Sequence, residues 1–273
     1  MAAMPLLLDG DNLILAAPTA SGKTEAALAP LIERYLPAGR TETQLTILYL
    51  LPTRALIADL WRRLATPLDV LRVAAAVKTH DLNTFNPTHP AELLLTTPES
   101  LDALLAGHPK SLAQVRAVII DELHGLDGTV RGDQLRVVLN RLRHLRTYAG
   151  QVGDAADAQL QYVGISATLA APETTAARYL PAAQVVTAGQ PRTAALDEIA
   201  LDPGSPAALL AYLDTFRARG WRKALVFATA RRSRSVCDRG AGCEFRLWRG
   251  GFCPLLQSGT RTAPCHRGAI CRG

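Results

Sequence analysis

Residues 17–24, with the sequence APTASGKT, constrain the fold more than any other segment of the chain. They follow an apolar run at residues 12–16 and precede a segment that is compatible with a helix. A buried strand, a turn of small residues and a helix N-terminus make a phosphate-binding loop, because the N–H groups of the turn and the positive end of the helix attract phosphate oxygens. The alternative is an ordinary turn with an exposed lysine, and the acidic segment described below argues against it.

The residues of this loop have separate predicted tasks. Lys23 is expected to reach the β and γ phosphates of ATP, and Thr24 is expected to place its hydroxyl on Mg²⁺. The first position of the loop is occupied by alanine, where the pattern usually has glycine. The predicted nucleotide-binding residues are Ala17, Thr19, Ala20, Ser21, Gly22, Lys23 and Thr24.

A second apolar run, residues 118–120, ends in the adjacent acids Asp121 and Glu122. Ligands of open α/β sheets bind where the strands end, and alternation along a strand would place one carboxylate on each side of the pleat. We expect Asp121 to belong to the Mg²⁺ shell and Glu122 to orient and deprotonate the attacking water. Taken alone, the segment is better explained as a strand followed by an acidic helix cap. The phosphate loop roughly one hundred residues earlier favours the catalytic interpretation.

Three further segments carry a resemblance to a known family. They are LPTRAL at residues 51–56, TTPESL at residues 96–101 and SATL at residues 166–169. Together with the phosphate loop and the DELH segment at residues 121–124, and in this order, they resemble the first RecA-like motor domain of a superfamily 2 helicase of the DExH type. Residues 121–132 look most like the large helicase-related (Lhr-like) group.

The resemblance implies roles for residues outside the nucleotide site. Nucleic-acid backbone contacts are implied for Thr53, Arg54, Thr97, Pro98 and Glu99. Coupling between ATP and strand separation is implied for His124, Ser166 and Thr168. Alone, the segments at residues 53–54 and 97–99 are more often ordinary strand-to-helix loops. The alternative for Ser166 and Thr168 is that their hydroxyls cap the next helix, and His124 alone is more often a structural histidine. Residues 78–81, KTHD, stand where the family typically has a glycine, which weakens one expected contact to the nucleic acid.

Alternation of short apolar runs with helical patterns from about residue 12 to residue 187 predicts an α/β fold with a doubly wound parallel sheet. Two crossover helices have clear apolar stripes. The first stripe contains Ala26, Ala27, Leu28, Leu31, Ile32 and Tyr35, and the second contains Leu135, Val138, Leu139, Leu142 and Leu145.

We expect four regions along the chain. Residues 1–190 form the RecA-like ATP-binding domain, whose N-terminal element is incomplete because no glutamine for adenine recognition precedes Lys23. Residues 191–205 are a linker, residues 206–240 begin a second RecA-like domain, and residues 241–273 are an aberrant, disordered tail. The arginine-rich final motif of the family is missing, so the resemblance implies a truncated chain and the alternative of a non-catalytic remnant that binds ATP or nucleic acid without unwinding.

The C-terminal segment has an unusual composition. Residues 231–273 contain nine arginines, two acids and all five cysteines, whereas the preceding residues have slightly more acids than bases. The cysteine spacings match no zinc pattern, so no zinc is expected. A metal-binding element and a basic nucleic-acid arm remain alternatives to a shifted reading frame, which we favour. The basic excess is therefore no indication of nucleic-acid binding.

ATP and Mg²⁺ are the expected cofactors, and single-stranded or partly duplex nucleic acid is the expected partner, with DNA favoured over RNA. No apolar run approaches the length of a membrane span, and the N-terminal residues lack a signal-peptide pattern. We therefore expect a cytoplasmic protein without a membrane partner. A generic phosphate-loop ATPase or kinase is a third hypothesis, which the ordered PTR, TPES and SAT segments disfavour.

Overall fold

The computed structural model describes residues 3–18, 21–40, 43–167, 169, 171–188, 215, 218, 223–227 and 244–248. The chain divides into two compact units, Met1–Thr193 and Ala194–Gly273. Among the described residues, no helix is both long and apolar enough to cross a bilayer.

The first unit is built on a seven-stranded sheet in which every pair of neighbours is parallel. The order across the sheet is β3-β4-β2-β5-β6-β1-β7. This confirms the predicted α/β fold with a parallel sheet. The strands are β1 Leu13–Ala16, β2 Ile47–Leu50, β3 Ala75–Lys78, β4 Leu93–Thr96, β5 Ala117–Ile120, β6 Gln161–Ser166 and β7 Gln184–Thr187.

Helices cover both faces of this sheet, as a doubly wound fold requires. They are α1 Ala3–Asp9, α2 Lys23–Tyr35, α3 Arg54–Val70, α4 Pro98–Gly107, α5 Val130–Val152 and α6 Pro172–Tyr179. One buried cluster joins α1, α2 and α3 to the sheet, and a second joins α4, α5 and α6 to it. Because both faces are covered, β1, β2, β4 and β5 are buried at every position, and apart from Thr96 their side chains are largely apolar.

The predicted apolar stripes face these two cores. In α2, Ala27, Leu28 and Leu31 are buried, and the other three stripe residues pack at the edge of the cluster. In α5, four of the five stripe residues are buried. Hydroxyl caps start three helices: Thr53 starts α3, Thr97 starts α4 and Thr129 starts α5, each accepting from a backbone N–H three residues later.

In the second unit the structure describes two strands, β8 Lys223–Phe227 and β9 Glu244–Trp248, which pair in parallel. The strand β8 lies within residues 206–240, where the start of a second RecA-like domain was expected. The strand β9, within the range 241–273, had no counterpart among the sequence-based expectations. The predicted linker, most of the helix at residues 207–219 and the five cysteines lie outside the described residues, so the division into four regions stays a prediction.

Candidate nucleotide and nucleic-acid site

The predicted functional segments lie at one edge of the sheet. The strands β1, β2 and β5 end directly before a motif, β4 and β6 end at the first residue of one, and all five strands run in the same direction. The motifs therefore lie close together at the carboxyl ends of the parallel strands, although residues 17–24 and 166–169 are far apart in sequence. The loop after β1 is attached to the end of β6 by the hydrogen bond from Ala17 N to the Ser166 carbonyl oxygen, 3.1 Å.

The phosphate loop turns into α2 at Gly22. Its backbone has φ +80°, a left-handed conformation that a side chain would strain, so glycine is needed here for its backbone and not for space. Lys23 is the first residue of the helix, and its ammonium group donates to the carbonyl oxygens of Ala17 and Pro18 at 2.5 and 2.9 Å. The lysine thus lies against the loop that it is predicted to complete. Thr19 and Ala20 lie outside the described residues.

Asp121 follows β5 and is almost fully buried. Its Oδ2 accepts a hydrogen bond from the Tyr49 hydroxyl at 2.7 Å, and its Oδ1 accepts from Glu122 N at 2.8 Å. Burial raises the pKa of Asp121, and the hydrogen bonds from Tyr49 and Glu122 oppose that rise. The carboxylate is therefore held in one orientation by two donors.

Glu122 differs from the expected strand geometry. The strand ends at Ile120, and Glu122 has φ +51°, which starts a 3₁₀ turn at Leu123–Gly125. The expected placement of the two carboxylates on opposite sides of a pleat is therefore wrong, because the left-handed residue interrupts the alternation. Both side chains line the same cleft as Lys23. Burial raises the pKa of Glu122, and the neighbouring Asp121 charge adds to this, which brings the carboxylate closer to the range of a general base.

This cleft has a volume of about 530 Å³, a size typical of ligand sites. Its lining includes residues of α3 that sequence reasoning did not identify. Asp59 and Arg63 reach it from that helix and pair with each other at 3.3 Å. Their spacing of four places them on one helix face, which is the signal that could have found them. A larger cavity, about 660 Å³, lies between α5, α6 and β6, and none of the predicted site residues lines it.

The donor atoms of the cleft fit a magnesium ion. Thr24 offers a hydroxyl, and Asp121 and Glu122 offer carboxylates, so the ligands are all oxygens. No group of three or more His, Cys, Asp or Glu side chains suited to a metal occurs within the part of the chain that the structure describes. That agrees with nucleotide sites, where Mg²⁺ uses one or two carboxylates and takes its remaining ligands from water and phosphate.

His124 connects the acidic segment to β6. Its Nδ1 lies 3.0 Å from Ser166 Oγ and 3.2 Å from Glu122 Oε2. Ser166 does not cap the next helix, because α6 has Ala171 at its N-cap position. The alternative interpretation of Ser166 as a capping hydroxyl is therefore wrong. Thr168, the other predicted coupling residue of this segment, lies outside the described residues.

The predicted nucleic-acid residues start two neighbouring helices. The hydroxyls of Thr53 and Thr97 accept from Leu56 N and Ser100 N, each at 3.3 Å, and Pro98 is the first residue of α4. These two hydroxyls therefore act as helix caps. The side chains of the two charged residues are paired within the protein: Arg54 forms an ion pair with Asp81, and Glu99 accepts from Arg131 Nε at 2.7 Å.

Several curated relatives of the chain are Lhr helicases. The "Lhr helicase/ probable uracil glycosylase" of Mycolicibacterium smegmatis is 36% identical over 186 residues, which are 60% of this chain and 12% of the relative. The "ATP-dependent helicase Lhr-Core" of Methanothermobacter thermautotrophicus is 34% identical over 181 residues, which are 59% of this chain and 20% of the relative. The chain thus spans a fifth or less of the length of these two proteins. The predicted resemblance to the Lhr-like group is confirmed.

Solved structures with the same fold are also helicases. Mycobacterium smegmatis helicase Lhr bound to ssDNA and AMP-PNP has a TM-score of 0.65 and 29% identity, over 85% of this chain and 32% of that protein. The DUF1998 helicase MrfA bound to DNA has a TM-score of 0.66 over 84% of this chain and 34% of that protein, and at 20% identity this likeness shows the fold alone.

These similarities agree with the RecA-like sheet and with the order of the motifs along it. A profile of the DEAD/DEAH box helicases matches residues 1–176, which is well over half of the chain. The chain belongs to the DEAD/DEAH box helicase family.

Proposed function

We propose that this chain is the ATP-binding motor domain of an ATP-dependent, Lhr-like helicase that binds MgATP and a nucleic-acid backbone. The observation that carries the proposal is the cleft in which Lys23 and Thr24 of the loop after β1 meet Asp121 and Glu122 of the loop after β5. A cation, a hydroxyl and two carboxylates in one cleft are the groups that phosphoryl transfer from a nucleotide requires. The names of the relatives, ATP-dependent helicases, support the same conclusion.

Each residue of the cleft has a separate proposed role in the reaction. Lys23 and the N-terminus of α2 hold the phosphates, since both offer N–H donors to negative oxygens. Thr24 and Asp121 would hold Mg²⁺, which supplies charge neutralisation at the phosphates when bound. Glu122 orients the attacking water and takes its proton at the carboxylate, a task for which its raised pKa suits it. His124 then links the state of Glu122 to Ser166 at the end of β6.

The nucleic-acid strand would lie across the N-termini of α3 and α4. Both helices start at the sheet edge that also holds the cleft, and a helix N-terminus presents unpaired N–H groups to phosphates without reading bases. We propose single-stranded or partly duplex DNA, rather than RNA, as the bound strand. The structure of Mycobacterium smegmatis helicase Lhr with ssDNA supports this choice.

Coupling between the two ligands distinguishes a helicase motor from a generic ATPase. The experiment measures the affinity of the 273-residue chain for a fluorescein-labelled oligo-dT, without nucleotide and with saturating Mg²⁺ and AMP-PNP. We expect nucleotide to change the affinity for the strand by about fivefold or more, as a coupling free energy of ordinary size would. An affinity for the strand that is unaffected by nucleotide would support a phosphate-loop ATPase or kinase instead. Ligand coupling without any ATP hydrolysis would support the non-catalytic alternative.

A further inference from the structure

Arg131 links the loop after β2 to the segment that follows β4. It lies in the first turn of α5, and its Nη2 donates to the Pro52 carbonyl oxygen at 2.6 Å while its Nε donates to Glu99 Oε1 at 2.7 Å. Pro52 belongs to the loop between β2 and α3, and Glu99 belongs to the first turn of α4. One guanidinium group thus holds a backbone atom of one loop and a side chain of the other.

These two loops are neighbours because β2 and β4 are adjacent strands. The parallel ladder between them continues to the hydrogen bond from Leu51 N to the Thr96 carbonyl oxygen, 3.1 Å. Beyond that bond the chains diverge into Thr53 and Thr97, which cap α3 and α4. The contacts of Arg131 lie at this point of divergence, one residue before the first cap and two residues after the second.

Glu99 is better suited to bind Arg131 than to bind nucleic acid. A carboxylate repels a phosphate group, so direct contact of Glu99 with a backbone phosphate is unfavourable. Burial alone would raise the pKa of Glu99, but hydrogen bonds from Arg131, from its own backbone and from Thr97 outweigh this and lower it. Glu99 is therefore ionised at neutral pH and fixes one end of the guanidinium fork.

We propose that Arg131 is a positioning residue for nucleic-acid binding, which fixes the spacing of the loops after β2 and β4 so that the N-termini of α3 and α4 contact one strand together. The inference rests on the proposed function, because it concerns the same nucleic-acid surface. Two helix N-termini contribute their N–H groups to one strand only when both are at the correct distance, so loss of the fork weakens both contacts.

Arginine is required because the two acceptors lie in different directions. The planar guanidinium presents Nε and Nη2 as donors with fixed geometry, whereas the single ammonium of lysine cannot reach a carboxylate and a distant carbonyl in the same way. Arg131→Lys keeps the charge and one acceptor. Arg131→Met keeps much of the aliphatic packing and loses both hydrogen bonds.

A matched control is available on the same helix. Arg141 of α5 forms an ion pair with Asp102 of α4, so Arg141→Met also removes a link between these two helices, but at a distance from the caps. The exposed fractions of the two arginines are nearly equal, 43% and 44%. A general weakening of the α4–α5 contact would therefore affect both variants alike.

The experiment measures three properties of the full chain and its variants: affinity for labelled oligo-dT, affinity for a fluorescent ATP analogue with Mg²⁺, and amide hydrogen exchange at residues 53–56 and 97–101. For Arg131→Met we expect strand binding to be weaker by about tenfold, the lower end of the range for one lost hydrogen bond to a charged group. Exchange should be faster in both loops, and nucleotide affinity should stay within about twofold. Arg131→Lys should recover only part of the loss, and Arg141→Met should resemble the wild type.

Three outcomes would overturn the inference. In the first, wild type binds the strand and Arg131→Met changes neither strand affinity nor loop exchange. In the second, Arg131→Met and Arg141→Met lose strand and nucleotide affinity in parallel, which would indicate a merely structural role. In the third, wild type does not bind the strand at all, and the proposed nucleic-acid function fails together with the inference. Faster loop exchange in Arg131→Met alone, with a selective loss of strand binding, supports it.

Discussion

At the scale of single residues, the Tyr49 hydroxyl connects the two side chains that we propose as magnesium ligands. It donates to Asp121 Oδ2 at 2.7 Å, and the Thr24 side chain hydrogen-bonds to it. Burial raises the pKa of Tyr49 well above its usual value, and the Asp121 charge raises it further, so the phenol remains a donor at neutral pH. The ligands of Mg²⁺ are in general oriented by such donors behind them.

Tyr49→Phe keeps the aromatic ring in the core and removes this donor. Asp121 then loses one of its two donors while it remains buried, so its carboxylate is less well oriented and less easily ionised. We expect the Mg²⁺ concentration needed for half-maximal nucleotide binding to rise by about tenfold, the lower range for loss of such a partner, without change in binding of nucleotide alone. A magnesium titration with a fluorescent ATP analogue measures this. Tyr162→Phe, another buried tyrosine of the sheet, is the control, and equal effects of both variants would contradict the assignment.

The ion pair of Arg54 limits how readily this residue can bind a phosphate group. It is proposed to contact the nucleic-acid backbone, but in the structure it pairs with Asp81. The hydrogen bond with His80 is the largest cause that lowers the pKa of Asp81, and the charge of Arg54 adds to it, so Asp81 is ionised at neutral pH. A phosphate group must therefore compete with Asp81 for the guanidinium.

Asp81→Asn is expected to strengthen strand binding, because it removes the competing charge and keeps the side-chain size. The pair is well exposed, so the gain should be on the order of twofold to fivefold at low salt and smaller at high salt. Anisotropy of a labelled oligonucleotide at two salt concentrations measures the effect. Asp102→Asn releases Arg141 from a similar surface pair on another part of the unit and should leave affinity unchanged. Weaker binding by Asp81→Asn would show that the ion pair positions Arg54 for the strand.

At the scale of secondary-structure elements, the segment between β5 and α5 is held at two places. His124 contacts Ser166 at the end of β6, and Asp127 accepts from Thr175 of α6 at 2.8 Å and pairs with Arg178. The segment that carries Glu122 is thus attached both to the strand before α6 and to α6 itself. A movement of either element would be transmitted to the proposed catalytic carboxylate.

His124→Ala is expected to separate binding from coupling. The histidine lies between Glu122 and Ser166, whereas the phosphates would be held by the loop after β1, so nucleotide affinity should change by less than about threefold. The change in strand affinity that nucleotide causes should be reduced by at least half. The two-ligand binding experiment described above provides both values. The control is His144→Ala, an exposed histidine of α5, and a loss of coupling in this variant as well would remove the special role of His124.

Strand and helix positions were predictable because periodicity and motif order are local properties. The alternation expected from about residue 12 to residue 187 is observed as strands from Leu13 to Thr187 with helices between them, and the predicted stripes of α2 and α5 face the two cores. Three features were not predictable. The hydrogen bond from Tyr49 and the fork of Arg131 join residues that are 32 to 79 positions apart, and the left-handed backbone of Glu122 belongs to a strained turn. No local pattern encodes these features.

Gly132, the last residue of the segment that resembles the Lhr-like group, allows a close packing contact. A Cβ at this position would overlap the Leu126 carbonyl oxygen and lie 2.5 Å from the Tyr179 hydroxyl. The first turn of α5 therefore packs directly on the segment after Glu122 and on α6. The sequence shows the glycine, but its reason is visible only in the packing.

At the scale of the whole molecule, the first unit is one sheet between two helical layers, and its site residues come from loops that follow five different strands. The proposed nucleotide and nucleic-acid surfaces share one edge of that sheet. Both proposed surfaces depend on these strands having their carboxyl ends at the same edge, and the parallel order of the sheet provides this.

The most direct test of the account compares Lys23→Ala with Glu122→Gln in equilibrium binding of MgATP to the full chain. The account predicts a loss of nucleotide affinity of about tenfold or more for Lys23→Ala, because the ammonium is the phosphate-binding cation of the loop. Glu122→Gln should bind within about threefold of the wild type, since the amide keeps the shape and loses only the base. Glu25→Gln, an acid in the first turn of α2 that also lines the cleft, is the matched control. Equal loss of binding in Lys23→Ala and Glu122→Gln, with Glu25→Gln unaffected, would contradict the assignment of Glu122 to catalysis.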